Sequence, residues 1–566
     1  MQIADSLAEE AQQAYRTGNF DLAERKLAES LTHPTDTGAR RRRLPSLARL
    51  QAHLGDLHAA EQTFSAAVEI APADTGLIVE HAKTLNALGR HSDALARLYK
   101  LPASVRATFD VLSLTADTAR KARQWSQAAE TARKALAVNP NSRNMKIVLA
   151  AALARQGDWE RAEPLFDALK DNAPAMEMRA GALTGAGRTQ EAERCLIDAL
   201  ERHPFDPGLH NALAMIRWMA GETDTFADTL LQALKTRPAD AGLAMTAADL
   251  LSRAEQKEDA LAIIRTLARY QSAPQIDAAM AQLESDTGAH EAASQRIEKA
   301  VAAAPRLDPL RRSAAGILLR AGHAEAALSH TLWGRERDRF DQEWIALHTT
   351  AQRASGDEDW RELYDFQNFV RTFELKPPEG FETTEQFIVA LAERLRELHS
   401  FSSHPLDQSL RGGSQLELDP SLPQDPLIKA AMDGFLDCAA RYMAAIGNSP
   451  DHPFTARNTG KVKMSGCWSV RLRSGGSHVN HIHPEGWISS AFYVAVPPSV
   501  KAGSNTRDGW LTFGDPRFPV PGLQAEHFVK PEEGKLALFP SYMWHGVQPF
   551  QDEAERITIA FDLVPS

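Results

Sequence analysis

The sequence predicts a multidomain α + β protein. Residues 1–370 read as an α-helical solenoid, and residues 375–566 read as lead-in helices followed by an antiparallel jelly roll. Three observations predict this. A glycine followed five residues later by an alanine recurs with a period of about 34 through the first two-thirds of the chain. From Val462 onward the pattern changes to short apolar or alternating runs bounded by Gly, Pro and Asp. Inside that second stretch, His481, His483, His545 and Arg556 stand at spacings that suit one metal ion and one anion.

The chain has 566 residues, more than one core accommodates, so at least two domains are expected. A net charge of −11 argues against a nucleic-acid partner, because a basic surface supplies most non-specific affinity of that kind. Cys195, Cys438 and Cys467 are too widely spaced for a disulfide framework or a cysteine metal site, which points to a reducing compartment. The start, Met1 to Asp5, lacks the basic-then-apolar order of a secretory signal, and no run reaches the ~18–20 apolar residues of a membrane span. A cytoplasmic protein without a membrane partner is expected.

The repeat is explicit in the residues. Gly18…Ala23, Gly55…Ala60, Gly89…Ala94, Gly157…Ala162, Gly187…Ala192, Gly288…Ala293 and Gly322…Ala327 carry both markers. Arg123…Ala128 and Glu255…Ala260 keep the spacing without the glycine, and Gly221…Phe226 keeps the glycine without the alanine. The glycine ends one helix in a left-handed conformation, and the alanine sits where paired helices approach. Prolines such as Pro72, Pro140 and Pro204 then stop the second helix. This pattern resembles the tetratricopeptide repeat over about residues 5–365. The resemblance implies a stacked solenoid that binds a protein or peptide. The basic run Arg40 to Arg43 reads as a solvated helix start.

After Trp360 the repeat fades, and Glu374 to Gly380 reads as a linker. Thr383 to Leu398 is an amphipathic helix pattern, Asp407 to Gln415 a polar glycine-bearing loop, and Pro426 to Ile446 a second helix. The strand-like runs are Cys467–Leu472, turned by Gly475-Gly476, then Trp487–Val496, Gly509–Phe513 and Lys535–Phe539. His481 and His483 are two apart, so on a strand both face one side, as two ligands of one ion must. His545 falls at the rim of a later strand. Arg556 and Thr558 share a face of the following one, where a guanidinium and a hydroxyl can grip a carboxylate. His478 and His527 read as structural, and Trp468, Trp487 and Trp544 as barrel core.

His481-Ile482-His483-Pro484, the Ser489–Tyr493 strand, Gly534…Phe539-Pro540-Ser541…His545 and Arg556-x-Thr558 together resemble the 2-oxoglutarate- and Fe(II)-dependent oxygenases. The similarity is to a bacterial and phage branch, whose lead-in motif Ser409-Leu410-Arg411-Gly412-Gly413 resembles. The resemblance implies a double-stranded β-helix with Fe(II) at its mouth, His545 as distal ligand, and Arg556 with Thr558 as the 2-oxoglutarate grip. One departure stands out. The usual triad is His-x-Asp/Glu…His. Read from His481, the carboxylate position holds His483; read from His483, it holds Glu485. Aspartyl-hydroxylase relatives lack the carboxylate and keep two histidines, like the first reading. His481 and His545 are therefore the expected ligands and His483 the expected third, with Glu485 placed past the strand end.

The function implied is oxidative decarboxylation of 2-oxoglutarate coupled to hydroxylation of a protein or peptide recruited by the repeats. The alternatives are a peptide-binding scaffold without turnover and an oxygenase acting on a small molecule.

Overall fold

The computed structural model describes residues 2–399, 404–406, 408–421, 425–502 and 507–566, which leaves Asp407 of the lead-in outside the described residues. Two compact units form: Met1–Ala186 with Pro305–Asp308, and Gly187–Ala304 with Pro309–Ser566.

The first unit is a series of helix pairs, beginning with Gln2–Arg16 and Phe20–Thr32, then Thr37–His53 and Leu57–Ile70. The hairpin glycines turn left-handed, with φ of 77° at Gly18, 84° at Gly55 and 81° at Gly157. Arg123 and, in the second unit, Glu255 take the same conformation without being glycine, at φ 59° and 62°. Each bears a cost of about 1–2 kcal/mol, which the packing on either side overrides. The marker alanines from Ala23 to Ala327 are all buried, and Phe226 is buried in the place of the one that is missing. Asn19, Asp56 and Asp158, each next to its glycine, cap the following helix by accepting from the backbone N–H of Leu22, Ala59 and Arg161. The two irregular periods have a simple origin. The long step after Gly18 contains a 17-residue helix, Thr37–His53, and the short step after Gly157 contains a 9-residue one, Trp159–Asp167. The Arg40–Arg43 run lies in the first turns of Thr37–His53, with Arg41 and Arg42 exposed and Arg43 paired with Asp5 at 2.5 Å.

The second unit carries the later helix pairs and then a jelly-roll-like sheet. Its strands are β1 (Arg371–Glu374), β2 (Leu410–Glu417), β3 (Val462–His481), β4 (Ile488–Ala495), β5 (Leu511–Phe513), β6 (His527–Val529), β7 (Lys535–Pro540), β8 (His545–Val547) and β9 (Arg556–Pro565). They form one antiparallel sheet in the order β1-β7-β4-β9-β3-β8-β5-β6, with β2 also on β3. Alternation along β9 separates its two faces. Ile557, Ile559, Phe561 and Leu563 are buried, and Phe435 of the helix Pro426–Ile446 stacks on Phe561 at 4.8 Å. Arg556, Thr558 and Asp562 point to the other face, the interior of the roll.

Three sequence expectations change here. The polar stretch up to Gln415 is not a loop from Leu410 on, because it pairs with β3. Its glycines mark a bulge: Gly412 has φ +68°, and a Cβ on Gly413 would lie 2.2 Å from the Arg471 carbonyl, so only glycine lets the strands close. Gly475-Gly476 does not end the strand either; β3 runs through it to His481. Trp487 and Trp544 are core, but Trp468 is only half-buried. A strand that the sequence did not reveal, β1, precedes the linker, and Leu375 N–H then donates to Gly534 O at 3.2 Å.

The last helices of the repeat region hold the turn before β8. Trp544 Nε1 donates to Thr350 Oγ1 at 2.9 Å. The buried Tyr364 hydroxyl accepts from Trp544 N–H at 3.0 Å and donates to Tyr542 O at 3.2 Å, and burial pushes its pKa up to about 12. Tyr542 in turn donates to Leu363 O at 2.7 Å. Tyr364→Phe leaves two buried backbone groups unpaired, so denaturant unfolding of the full chain should show a loss of about 1–3 kcal/mol for the transition of this unit.

His399, at the end of the helix Thr384–Leu398, ties that helix to two strands. Its ring nitrogens meet Ser414 Oγ at 2.8 Å and Ser469 Oγ at 3.0 Å, and burial lowers its pKa from 6.5 to about 4. The unfolded chain therefore binds a proton that the native chain refuses between those values. Stability should be full above pH 6.5, fall as pH drops toward about 4, and level off below. His399→Gln should flatten that part of a pH series of thermal melts.

Candidate metal centre

The mouth of the roll is built by β3 and β8. In their antiparallel register His481 faces His545, and the chain beyond β3 brings His483 alongside. Ring centroids are 4.3 Å apart for His481–His545 and 5.1 Å for each of the other two pairs. One ligand nitrogen from each of the three lies within 4.8 Å of the others.

Every ring is oriented by a bond at Nδ1. His481 Nδ1 donates to Val479 O and His545 Nδ1 to Met543 O, both at 2.9 Å, while His483 Nδ1 donates to Asp562 Oδ2 at 2.7 Å. That leaves Nε2 with its lone pair on all three, the arrangement that metal-ligating histidines adopt. Burial, reinforced by the neighbouring His483, takes the His481 pKa down to about 3. Burial and the same neighbours take His545 well below its ordinary value. Both are thus neutral near pH 7, the form that binds a metal. Phe539 and Phe513 close over His545 at centroid distances of 4.7 and 6.3 Å. The donor set fits a mid-first-row divalent ion.

Arg556 lies at the start of β9, opposite Leu472 of β3, and is 1% exposed. Its guanidinium sits 5.3 Å from the centre of the Tyr493 ring. The Tyr493 hydroxyl and Arg556 Nε are each buried without a hydrogen-bond partner among the described residues, and the two groups act on each other electrostatically. Burial lowers the Arg556 pKa and pushes Tyr493 up to about 12. Glu555 faces away and pairs with Arg396 and Arg471. Thr558, also buried, follows on the interior face. An anion is the kind of group that would satisfy such an arrangement.

The remaining candidates are not part of the three-histidine group. Glu485 is exposed and outside the three-histidine group. His527 stacks on Phe366 at 5.2 Å with 7° between the planes. His478 is bound at Nδ1 by Ser409 Oγ at 3.0 Å, and the same hydroxyl lies 3.3 Å from His481 Nε2. Ser409, Trp468 and Asp562 were not singled out as site residues by the sequence. Trp468 stacks on His483 at 5.4 Å and 26°. The signal for Asp562 was available in the even steps from Arg556 through Thr558.

A jelly-roll-like domain thus brings together three convergent imidazoles that could hold one metal ion and a buried arginine whose Nε has no hydrogen-bond partner among the described residues. Residues 466–562 match the family model described as "Putative 2OG-Fe(II) oxygenase", and residues 114–177 and 178–241 each match that of the tetratricopeptide repeat. The chain therefore joins tetratricopeptide repeats and a domain of that oxygenase family in one polypeptide. The family implies Fe(II) and 2-oxoglutarate. No curated protein matches the chain. Among solved structures, yeast Tom70 is similar at 14% identity, covering 70% of this chain and 96% of its own, with a TM-score of 0.35. A tetratricopeptide repeat protein from Parabacteroides merdae is similar at 17% identity, covering 50% and 98%, with a TM-score of 0.33. MamA from Desulfovibrio magneticus is similar at 20% identity, covering 32% and 96%, with a TM-score of 0.27. Among the described residues no helix is long and apolar enough to cross a membrane.

Gly546 keeps the two histidine strands together. A Cβ there would lie 2.2 Å from Asn480 Oδ1 and 2.9 Å from the His478 carbonyl. Gly546→Ala must push β3 off β8, and a thermal melt should show a loss of about 1–3 kcal/mol.

Proposed function

We propose that this protein is a cytoplasmic 2-oxoglutarate- and Fe(II)-dependent dioxygenase that hydroxylates a protein or peptide. In this reading residues 1–370 recruit the substrate and residues 375–566 carry out the oxidation. The observation that carries the reading is the pairing of three convergent imidazoles with a buried arginine that forms no ion pair and leaves its Nε unbonded among the described residues.

His481, His483 and His545 would hold Fe(II) through Nε2. Arg556 would take the distal carboxylate of 2-oxoglutarate by charge-assisted hydrogen bonds, with the hydroxyls of Thr558 and Tyr493 completing the grip. The metal and cosubstrate supply the oxidising chemistry when bound. The chain itself orients both and excludes water with Phe513, Phe539 and Tyr493. The tetratricopeptide repeats, which generally bind proteins, support a protein or peptide as that substrate.

The test is a turnover assay with Fe(II), 2-oxoglutarate and a peptide library, read as succinate release and a mass gain of one oxygen. Arg556→Ala should raise the 2-oxoglutarate needed at least ten-fold, the loss of a charge-assisted pair of roughly 1.5–3 kcal/mol. Metal should be retained. His481→Ala and His545→Ala should lose both metal and turnover, and His527→Ala neither. An Arg556 variant with unchanged cosubstrate dependence, or one that loses metal too, would remove its assigned role. Turnover without peptide oxidation would favour a small-molecule substrate, and metal binding without any turnover a scaffold.

A further inference from the structure

The three imidazoles are not held alike. His481 and His545 rest on neutral backbone carbonyls two residues earlier in the chain. His483 alone rests on a carboxylate, Asp562 Oδ2 at 2.7 Å, a length typical of a charge-assisted bond. His483 is also the residue that stands where the His-x-Asp/Glu…His pattern places its carboxylate ligand.

The carboxylate is built into the fold. Asp562 ends the interior-facing series on β9, where its register partners are Gly466 on β3 and Ser489 on β4. Ser489 Oγ donates to Asp562 Oδ1 at 2.7 Å. With its proton so used, Ser489 Oγ accepts from Ser541 Oγ at 2.8 Å. Both serines are fully buried. Each carboxylate oxygen therefore accepts from a fixed donor, the pattern of an ionised group. Ser541 O also accepts from the His483 backbone N–H at 3.0 Å, so ring and backbone of His483 are fixed by one connected set of residues. Gly486 leaves room for that set: a Cβ there would fall 2.4 Å from Ser541 Oγ and 3.4 Å from Asp562 Cγ.

We propose that Asp562 is the displaced carboxylate of the metal site, a positioning residue that acts through His483. It fixes the tautomer that presents Nε2 and sets a negative charge behind the ring, which makes His483 a stronger donor than the other two. The charge missing from the ligand sphere is thereby supplied one bond further out. This rests on the reading of the three histidines as metal ligands.

The test uses the full chain and Co(II) alone, titrated at fixed pH against a chelating dye, with the visible Co(II) bands recorded. Asp562→Asn keeps the shape and one acceptor oxygen but removes the charge and turns the other acceptor into a donor. It should weaken Co(II) binding by about 10–100-fold and shift the bands, while the metal-free melting temperature stays near that of the wild type. Ser489→Ala, which keeps the charge and removes one bond to it, should weaken binding far less. Asp562→Asn binding Co(II) as tightly as the wild type, or no more weakly than Ser489→Ala, would overturn the proposal. A wild-type chain that takes up no Co(II) is a different result: it would overturn the histidine assignment itself, and this proposal with it.

Discussion

The pairing of β3 with β8 is the constraint on which the rest of the oxygenase domain depends. A one-residue slip between strands turns every side chain to the opposite face. Here such a slip would separate His481 from His545 and carry His483 away from Asp562. The register is also held by the segment that follows β5. Asn480 reaches across to Asp515 at 2.8 Å, and the Gly514 N–H donates to Trp544 O at 2.9 Å. Gly546 lets the β3 backbone lie close enough for these bonds to form.

A second layer of contacts fixes where β8 begins. Tyr542, Met543 and Trp544 are all fully buried, and the Tyr542 carbonyl and Trp544 N–H are both engaged by Tyr364 from the end of the repeat region. Arg353, on the helix Gln342–Ser355, bonds the Gly514 carbonyl and Glu526, the two ends of the segment between β5 and β6. The candidate metal centre is thus positioned by a sheet whose strands are short at the mouth and which is bonded to the helices around it. Three-residue strands such as β5, β6 and β8 have few ladder bonds of their own.

The repeats were legible because their signal is local: a glycine and an alanine within six residues, copied many times. Even the irregular copies at Arg123 and Glu255 kept their backbone conformation, since the position demands it whatever the side chain. The histidine spacing and Arg556 were legible for a similar reason, as strand alternation fixes which residues share a face. What stayed hidden depends on contacts distant in sequence. Asp562 meets His483 from 79 residues away, and Ser409 meets His481 from 72. Gly412-Gly413 misled, because glycine marks a bulge between close strands as readily as a loop. β1 was missed because four residues of alternating pattern carry little signal beside a long helical array.

The bond from Trp544 to Thr350 bears on how such a protein can change over evolutionary time. Repeat arrays commonly gain and lose units, since each unit touches only its neighbours. The helix Gln342–Ser355 has two kinds of neighbour: the repeat before it and, through Thr350 and Arg353, the oxygenase sheet. A duplication or deletion that replaced this helix would have to supply a hydroxyl and a guanidinium at the same places. Length variation of the array is therefore constrained at this helix, where a repeat has become part of the support of the sheet.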